Sequence, residues 1–303
     1  MQRRYTILDA FTDHALGGNP LAVVLDSEGL DDARMQAIAR EFNLSETVFV
    51  RPAARPAHAA ALRIFTPVYE LPFAGHPTIG TAVQLALDEA GENHDKHEMM
   101  MVLEEEIGPI RCGVSLKGEG AGHVIFDMPK MPAATIDPTD RDLISAALDL
   151  APSDIGFENH VPTGFDAGVP YCFVPVRDLD AIARARPQMR HYDRAFGDDV
   201  LADVFVYTRE TVSADHDFHA RMFAPKSGIP EDPATGSGVA GLAGVIARFD
   251  QPPGGTHRYM IEQGYEMGRP SLMGLEIDMH DGSVHGGRIS GDAVVVAKGV
   301  LTI

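Results

Sequence analysis

Apolar and polar positions along the chain follow two rhythms, one of strands and one of helices. Alternating or β-branched runs at 5–10, 21–25, 47–50, 59–65, 99–103, 110–114 and 123–128 predict strands. A loop holding Gly17, Gly18, Asn19 and Pro20 joins the first two. Asp31 and Asp32 offer an N-cap, and Met35, Ile38, Ala39 and Phe42 follow at helical spacing. A second helix is predicted from 75–78 to about 90. Its apolar positions leave little polar face, so it should be mostly buried. Pro129 and Pro132 mark a connection between halves. Beyond them, strands are predicted at 171–176, 204–207, 218–223, 259–262, 271–279 and 293–297, with a second apolar helix over 236–247. Strands outnumber helices and each half centres on one apolar helix. An α+β fold follows, rather than a regular βαβ alternation.

The two halves also resemble each other. At a constant shift of 158 residues, Arg63-Ile-Phe-Thr-Pro67 lies over Arg221-Met-Phe-Ala-Pro225. In the same register Pro72 meets Pro230, Gly80 meets Gly238 and Ala82 meets Ala240. Each copy reads strand, loop, glycine-rich turn, buried helix. The expected architecture is two pseudo-symmetric half-domains, 1–128 and 129–303, each a curled, mostly antiparallel sheet around its helix. The last strand is free to return to the first half. Both turns should open on a shared cleft, where two helix N-termini offer unsatisfied N–H groups to an anion such as a carboxylate. The bland alternative is a duplicated fold whose glycines only allow tight turns and close helix packing.

Composition narrows the function. The 303 residues carry a formal net charge of -19, which disfavours nucleic acid and anionic membrane as partners. No apolar run is long enough to span a bilayer and the N-terminus lacks a signal-peptide core, so a cytoplasmic location is the default expectation. With only two cysteines, Cys112 and Cys172, a disulfide scaffold is excluded and a Cys-based zinc site is disfavoured; both sit in strand-like runs and are expected to be small buried residues. No metal site, dinucleotide-binding fingerprint or nucleophile elbow is found.

Three residue types remain for chemistry. In the repeat, His76 of Ala74-Gly-His-Pro-Thr78 lies in the first turn and Asp232 of Glu231-Asp-Pro-Ala-Thr-Gly-Ser-Gly238 in the second. Imidazole and carboxylate both suit proton transfer. A turn histidine and a helix N-cap are their structural alternatives. Glu46 opens an apolar strand, where burying a carboxylate is costly without a role; an edge glutamate in solvent is the alternative.

Taken together these segments resemble the PhzF-like isomerase/epimerase family. The residues carrying the resemblance are Phe11 with Gly18-Asn-Pro20, Asn43-Leu-Ser-Glu-Thr-Val-Phe49, Arg63-Ile-Phe-Thr-Pro67 and Phe73-Ala-Gly-His-Pro-Thr78. Arg221-Met-Phe-Ala-Pro225, Glu231 to Gly238 and Gln263-Gly-Tyr-Glu-Met-Gly-Arg-Pro-Ser271 complete the set. The resemblance implies the diaminopimelate-epimerase-like fold, no cofactor or metal, and a homodimer. It makes Glu46 the general base/acid, assisted by His76 and Asp232, with Ser45, Gly75, Gly236 and Ser237 binding a small anionic substrate. Related amino-acid epimerases place a cysteine at each helix N-terminus. Here Ala74 and the Asp232–Pro233 region stand there, so a two-thiol racemase is disfavoured. Three readings stay open: an isomerase of a small carboxylic acid, an epimerase or racemase of an amino- or hydroxy-acid, and a metabolite-binding protein without catalysis. A phenazine role does not follow.

Overall fold

The computed structural model describes residues 2–91, 95–118, 120–197 and 203–303. In chain order its strands are β1 (Gln2–Ala10), β2 (Asn19–Val24), β3 (Glu46–Arg51), β4 (Ala60–Phe65), β5 (Glu70–Leu71), β6 (Asp95–Glu105), β7 (Gly108–Lys117) and β8 (Ala121–Asp127). They continue with β9 (Ala133–Ala134), β10 (Thr163–Asp166), β11 (Pro170–Pro175), β12 (Asp203–Thr208), β13 (Phe218–Ala224), β14 (Ile229–Asp232), β15 (Gly255–Gln263), β16 (Ser271–His280) and β17 (Ser283–Thr302). The helices are α1 (Asp32–Phe42), α2 (Gly75–Ala90), α3 (Arg141–Ala147), α4 (Leu179–Arg184), α5 (Met189–Phe196) and α6 (Gly236–Phe249). No helix among the described residues is long and apolar enough to cross a membrane.

The chain forms two compact units. Unit 1 comprises Met1–Pro129, Arg269–Leu272 and Arg288–Ile303; unit 2 comprises Lys130–Gly268 and Met273–Gly287. The chain from 129 onward is thus not one half: residues 269–272 and 288–303 belong with unit 1. The reason is pairing, since β17 is antiparallel to both β1 and β8.

In unit 1 the ladder runs β1–β2–β3–β4–β6–β7–β8 and returns through β17 to β1, closing a ring without free edges. The ring surrounds α2, whose residues from Gly75 to Gln84 are all buried. A helix apolar on nearly every face needs such a wrapping. Outside the ring, α1 buries Met35, Ile38 and Ala39 against Val24, Phe49 and Phe65. Asp31 caps α1 by accepting from the Arg34 N–H.

Unit 2 repeats the succession of pairings. β10 is antiparallel to β11, β11 parallel to β12, β12 antiparallel to β13, and β13 antiparallel to β14 and parallel to β15. In unit 1 the same order links β1, β2, β3, β4, β5 and β6. Helix α6 is glycine-rich for a packing reason. A Cβ at Gly238, Gly241 or Gly244 would approach the rings of Phe205, Phe173 and Phe165 to 2.6, 2.6 and 2.4 Å.

The duplication reaches individual hydrogen bonds. In unit 1 Glu104 accepts from the N–H groups of Ala54 and Arg55 and meets His58 Nδ1 at 2.8 Å. In unit 2 Glu262 accepts from Val212 and Ser213 and meets His216 Nδ1 at 2.5 Å. All four correspondences keep the 158-residue shift, which therefore holds from the loop before β4 to the end of β6.

Candidate active site

Unit 1 brings Glu46 and His76 together from one strand start and one helix start. The αL conformation of Asn43 ends α1 and turns the chain through Leu44 and half-buried Ser45 into β3. Glu46 is the first residue of β3, paired with Leu21, and is 7% exposed. Helix α2 begins at Gly75 after Ala74, an N-cap without a side-chain hydrogen bond. His76, 3% exposed, lies in its first turn. His76 Nε2 stands 3.0 Å from Glu46 Oε2. The approach is off the axis of a hydrogen bond, and both atoms lack a hydrogen-bond partner among the described residues. Leaving such atoms unmet costs about 1–3 kcal/mol each, which points to use by a ligand.

His76 is oriented from behind. Its Nδ1 lies 3.1 Å from the Asn19 amide nitrogen at the start of β2. A donating Asn19 places the ring proton of neutral His76 on Nε2, the atom facing Glu46. Asn19 is held in turn by the turn before it. Gly18 has φ +59, and a Cβ there would come within 2.3 Å of the Ala10 carbonyl oxygen, so only glycine fits. The Arg269 guanidinium donates to the Gly17 and Gly18 carbonyls and to Asp9 Oδ1, the last at 2.6 Å. Asn19 and Arg269 carry signals in the sequence, but only inside motifs whose individual roles the pattern does not reveal.

Unit 2 has a different chemistry at its helix start. Asp232 ends β14 and is buried. It is not the N-cap of α6; Thr235 is, again without a side-chain cap bond. The Thr235 hydroxyl donates to Asp232 Oδ2 at 2.6 Å and accepts from the Gln263 amide at 3.0 Å. Gln263 also donates to the Asp232 carbonyl at 2.7 Å, and its Oε1 accepts from the Thr235 N–H at 3.2 Å. Gly236, the first residue of α6, is buried; Ser237 Oγ lies 2.8 Å from the Tyr171 hydroxyl. Glu231, next to Asp232, is committed to Arg221 through two hydrogen bonds of 2.8 Å.

Neither cysteine stands at a helix start. Cys112 is buried in β7, where burial pushes its thiol well above the usual range. Cys172 lies in β11 and is only partly buried, not fully buried as its strand-like run suggests. Among the described residues no cluster of His, Cys, Asp and Glu has the arrangement of a metal site.

Residues 8–299 match the family described as phenazine biosynthesis-like protein, PhzC-PhzF. A Mesorhizobium japonicum protein described as an uncharacterized isomerase is 49% identical over 304 residues, covering 99% of both chains. The trans-2,3-dihydro-3-hydroxyanthranilate isomerase of Pseudomonas fluorescens is 35% identical over 300 residues, again covering 99% of both. The crystal structure of a Bacillus anthracis phenazine biosynthesis protein of the PhzF family shares the fold with a TM-score of 0.86 and 24% identity over the full length of both chains. The chain therefore belongs to the phenazine biosynthesis-like (PhzC-PhzF) family and is an isomerase.

Proposed function

We propose that this isomerase moves a proton on a small carboxylate-bearing substrate by general acid/base catalysis, with Glu46 as the base and no cofactor. The observation that carries the reading is the Glu46–His76 pair: two buried polar atoms 3.0 Å apart, each without a hydrogen-bond partner among the described residues. The Glu46 carboxylate takes a proton from a carbon next to a double bond. The electron pair of that C–H bond shifts into the adjoining position and the double bond migrates. The Glu46 carboxylic acid then returns its proton to the far carbon, so atoms and charge balance without a redox partner. His76, oriented by Asn19, sets its Nε2 beside Glu46 Oε2, and these two unmet atoms are the ones left for the substrate. Ser45 and Gly75 flank the pair in sequence and are assigned to substrate binding. In unit 2, Asp232, Gly236 and Ser237 are the corresponding proposed groups: a buried carboxylate and the first residues of a helix whose N–H groups favour anions. The Pseudomonas fluorescens relative is named for a ring-bearing hydroxy amino acid with a carboxylate, which fits this substrate class.

The test is deuterium uptake from D2O, followed by NMR, into a panel of small unsaturated and hydroxylated acids that includes trans-2,3-dihydro-3-hydroxyanthranilate. Migration of a double bond with deuterium at the new C–H supports isomerisation; deuterium with inversion at a single carbon shows an epimerase instead. E46Q should abolish uptake while retaining ligand binding. Turnover that survives E46Q removes Glu46 from the base role.

A further inference from the structure

Glu105 is a buried carboxyl outside the proposed chemistry. Glu105 ends β6 and is 7% exposed. Its Oε1 is 2.7 Å from Thr78 Oγ1, and that same hydroxyl is 2.8 Å from the Ala74 carbonyl oxygen. A hydroxyl has one proton and a carbonyl has none to give. If Glu105 is ionised, Thr78 can satisfy only one of two acceptors. If Glu105 is protonated, both bonds form in series: Glu105 donates to Thr78 and Thr78 donates to Ala74.

The surroundings also favour the neutral acid. Burial pushes the Glu105 carboxyl up to about 8, against the smaller opposing effects of the Thr78 hydroxyl and the Ala74 N–H. Its Oε2 has no hydrogen-bond partner among the described residues, and no lysine, arginine or histidine figures among its interactions. From the start of α2 it meets Thr78 and, just before the helix, Ala74. From β7 it is faced by the Cys112 thiol, which burial also keeps neutral. On β6 itself, Glu104 is occupied by His58 and the 54–55 loop, and just beyond the strand Glu106 is exposed.

Unit 2 supplies an internal control. Glu105 shifted by 158 residues is Gln263, the last residue of the equivalent strand. Ala74 shifted equally is Asp232, and Gln263 donates to the Asp232 carbonyl. A neutral donor therefore serves that carbonyl in unit 2 by composition, whereas in unit 1 the Thr78 hydroxyl can bond both that carbonyl and the Glu105 carboxyl only while Glu105 holds a proton.

We propose that Glu105 is a positioning residue that works in its protonated form, holding the Ala74 carbonyl through Thr78 and thereby fixing the first turn of α2 and His76 beside Glu46. Ionisation turns the Thr78 hydroxyl toward Glu105 and leaves the Ala74 carbonyl with the long Thr78 N–H bond of 3.3 Å. Activity then falls on the alkaline side. The activity arm rests on the role proposed for Glu46 and His76; the protonation does not.

The experiment compares wild type, E105Q and E105L. A 13C-glutamate NMR titration and the His76 ring signals are followed with pH, alongside the pH profile of deuterium exchange. A Glu105 carboxyl resonance titrating near 8, a His76 signal that follows it, and loss of both inflections in E105Q support the proposal. E105Q should retain exchange near neutrality within about threefold and extend it to higher pH, whereas E105L should lose about tenfold or more. A Glu105 resonance that titrates below pH 5, or inflections that persist in E105Q, overturns it even if E105L does not fold. If the His76 inflection vanishes in E105Q but no acid exchanges in wild type, the proposed function fails and the protonated Glu105 stands.

Discussion

The starts of α2 and α6 solve the same problem with different chemistry. Each begins without a side-chain N-cap bond, and each has a nearby carbonyl that takes a side-chain donor: Ala74, directly before α2, and Asp232, four residues before α6. In unit 2 Gln263 supplies the donor, and the Thr235 hydroxyl joins it to Asp232 in a network where donors and acceptors match one to one. In unit 1 a carboxyl and a threonine do the work and depend on a proton. The imbalance extends further. Glu46, Thr47, His76, Thr81, Gln84 and Glu105 each have a buried side-chain atom without a hydrogen-bond partner, all in unit 1; unit 2 has none among the described residues. Polar satisfaction is the usual state of a buried core, so its local failure marks where strain is kept for function. The duplicated fold thus has a settled copy and a poised one.

The largest test of that contrast is E46Q, expected to cut deuterium exchange by roughly 10²–10⁴-fold. Thermal unfolding should move little, because the Glu46 oxygen facing His76 makes no hydrogen bond. A large loss of stability with exchange intact would make the pair structural and remove the asymmetry.

Next in size is the pH dependence of stability, measured by urea unfolding of wild type and E105Q. The folded-state carboxyl is raised from 4.5 to about 8, so between those values the folded protein binds more protons than the unfolded chain. Stability is fully present below 4.5 and lost as pH rises toward 8, at about 1.4 kcal/mol per pH unit, on the order of 5 kcal/mol in all. E105Q should lack this loss. A wild-type curve parallel to that of E105Q would contradict a protonated Glu105.

The reciprocal change sharpens the comparison. Gln263→Leu removes the donor to the Asp232 carbonyl and the acceptor of the Thr235 N–H, and should cost about 2–4 kcal/mol at every pH. Gln263→Glu should instead make unit 2 pH-sensitive, less stable as pH rises. If Q263E is indifferent to pH, the two positions are not equivalent.

The smallest effect concerns His219 in unit 2. Burial opposes its charge, but hydrogen bonds to Glu266 and Glu262 prevail and raise it above 6.5. Its contribution is present below pH 6.5 and fades as pH rises through the folded value, so H219Q should flatten that segment of the stability curve. His219 belongs to unit 2 and Glu105 to unit 1, so this slope should be additive with E105Q; strong coupling between them would argue against two independent networks.

Much of the fold was legible because period and repeat are local properties. The 75–90 and 236–247 runs announce buried helices, and α2 and α6 start where those runs do. The short helices α3, α4 and α5 escape the pattern, since six to eight residues give barely two turns of periodicity. So does the extent of β17, whose exposed stretches carry no strand-like apolar run yet gain hydrogen bonds from β1 and β8. The N-cap alternative for Asp232 is not what the chain adopts, because the cap of α6 is Thr235, three residues later.

The amino-acid order alone determined the duplication, the two central helices, the family and the identity of Glu46, His76 and Asp232 as groups able to move or hold a proton. Only the folded chain decided which polar atoms are matched and which are left over. Glu46 and His76 are thirty residues apart, and Thr78 and Glu105 nearly as far. Whether such groups satisfy one another depends on how β3, β6 and α2 meet. Hydrogen bonding acts over about 3 Å and obeys a count of protons that no spacing along the chain records.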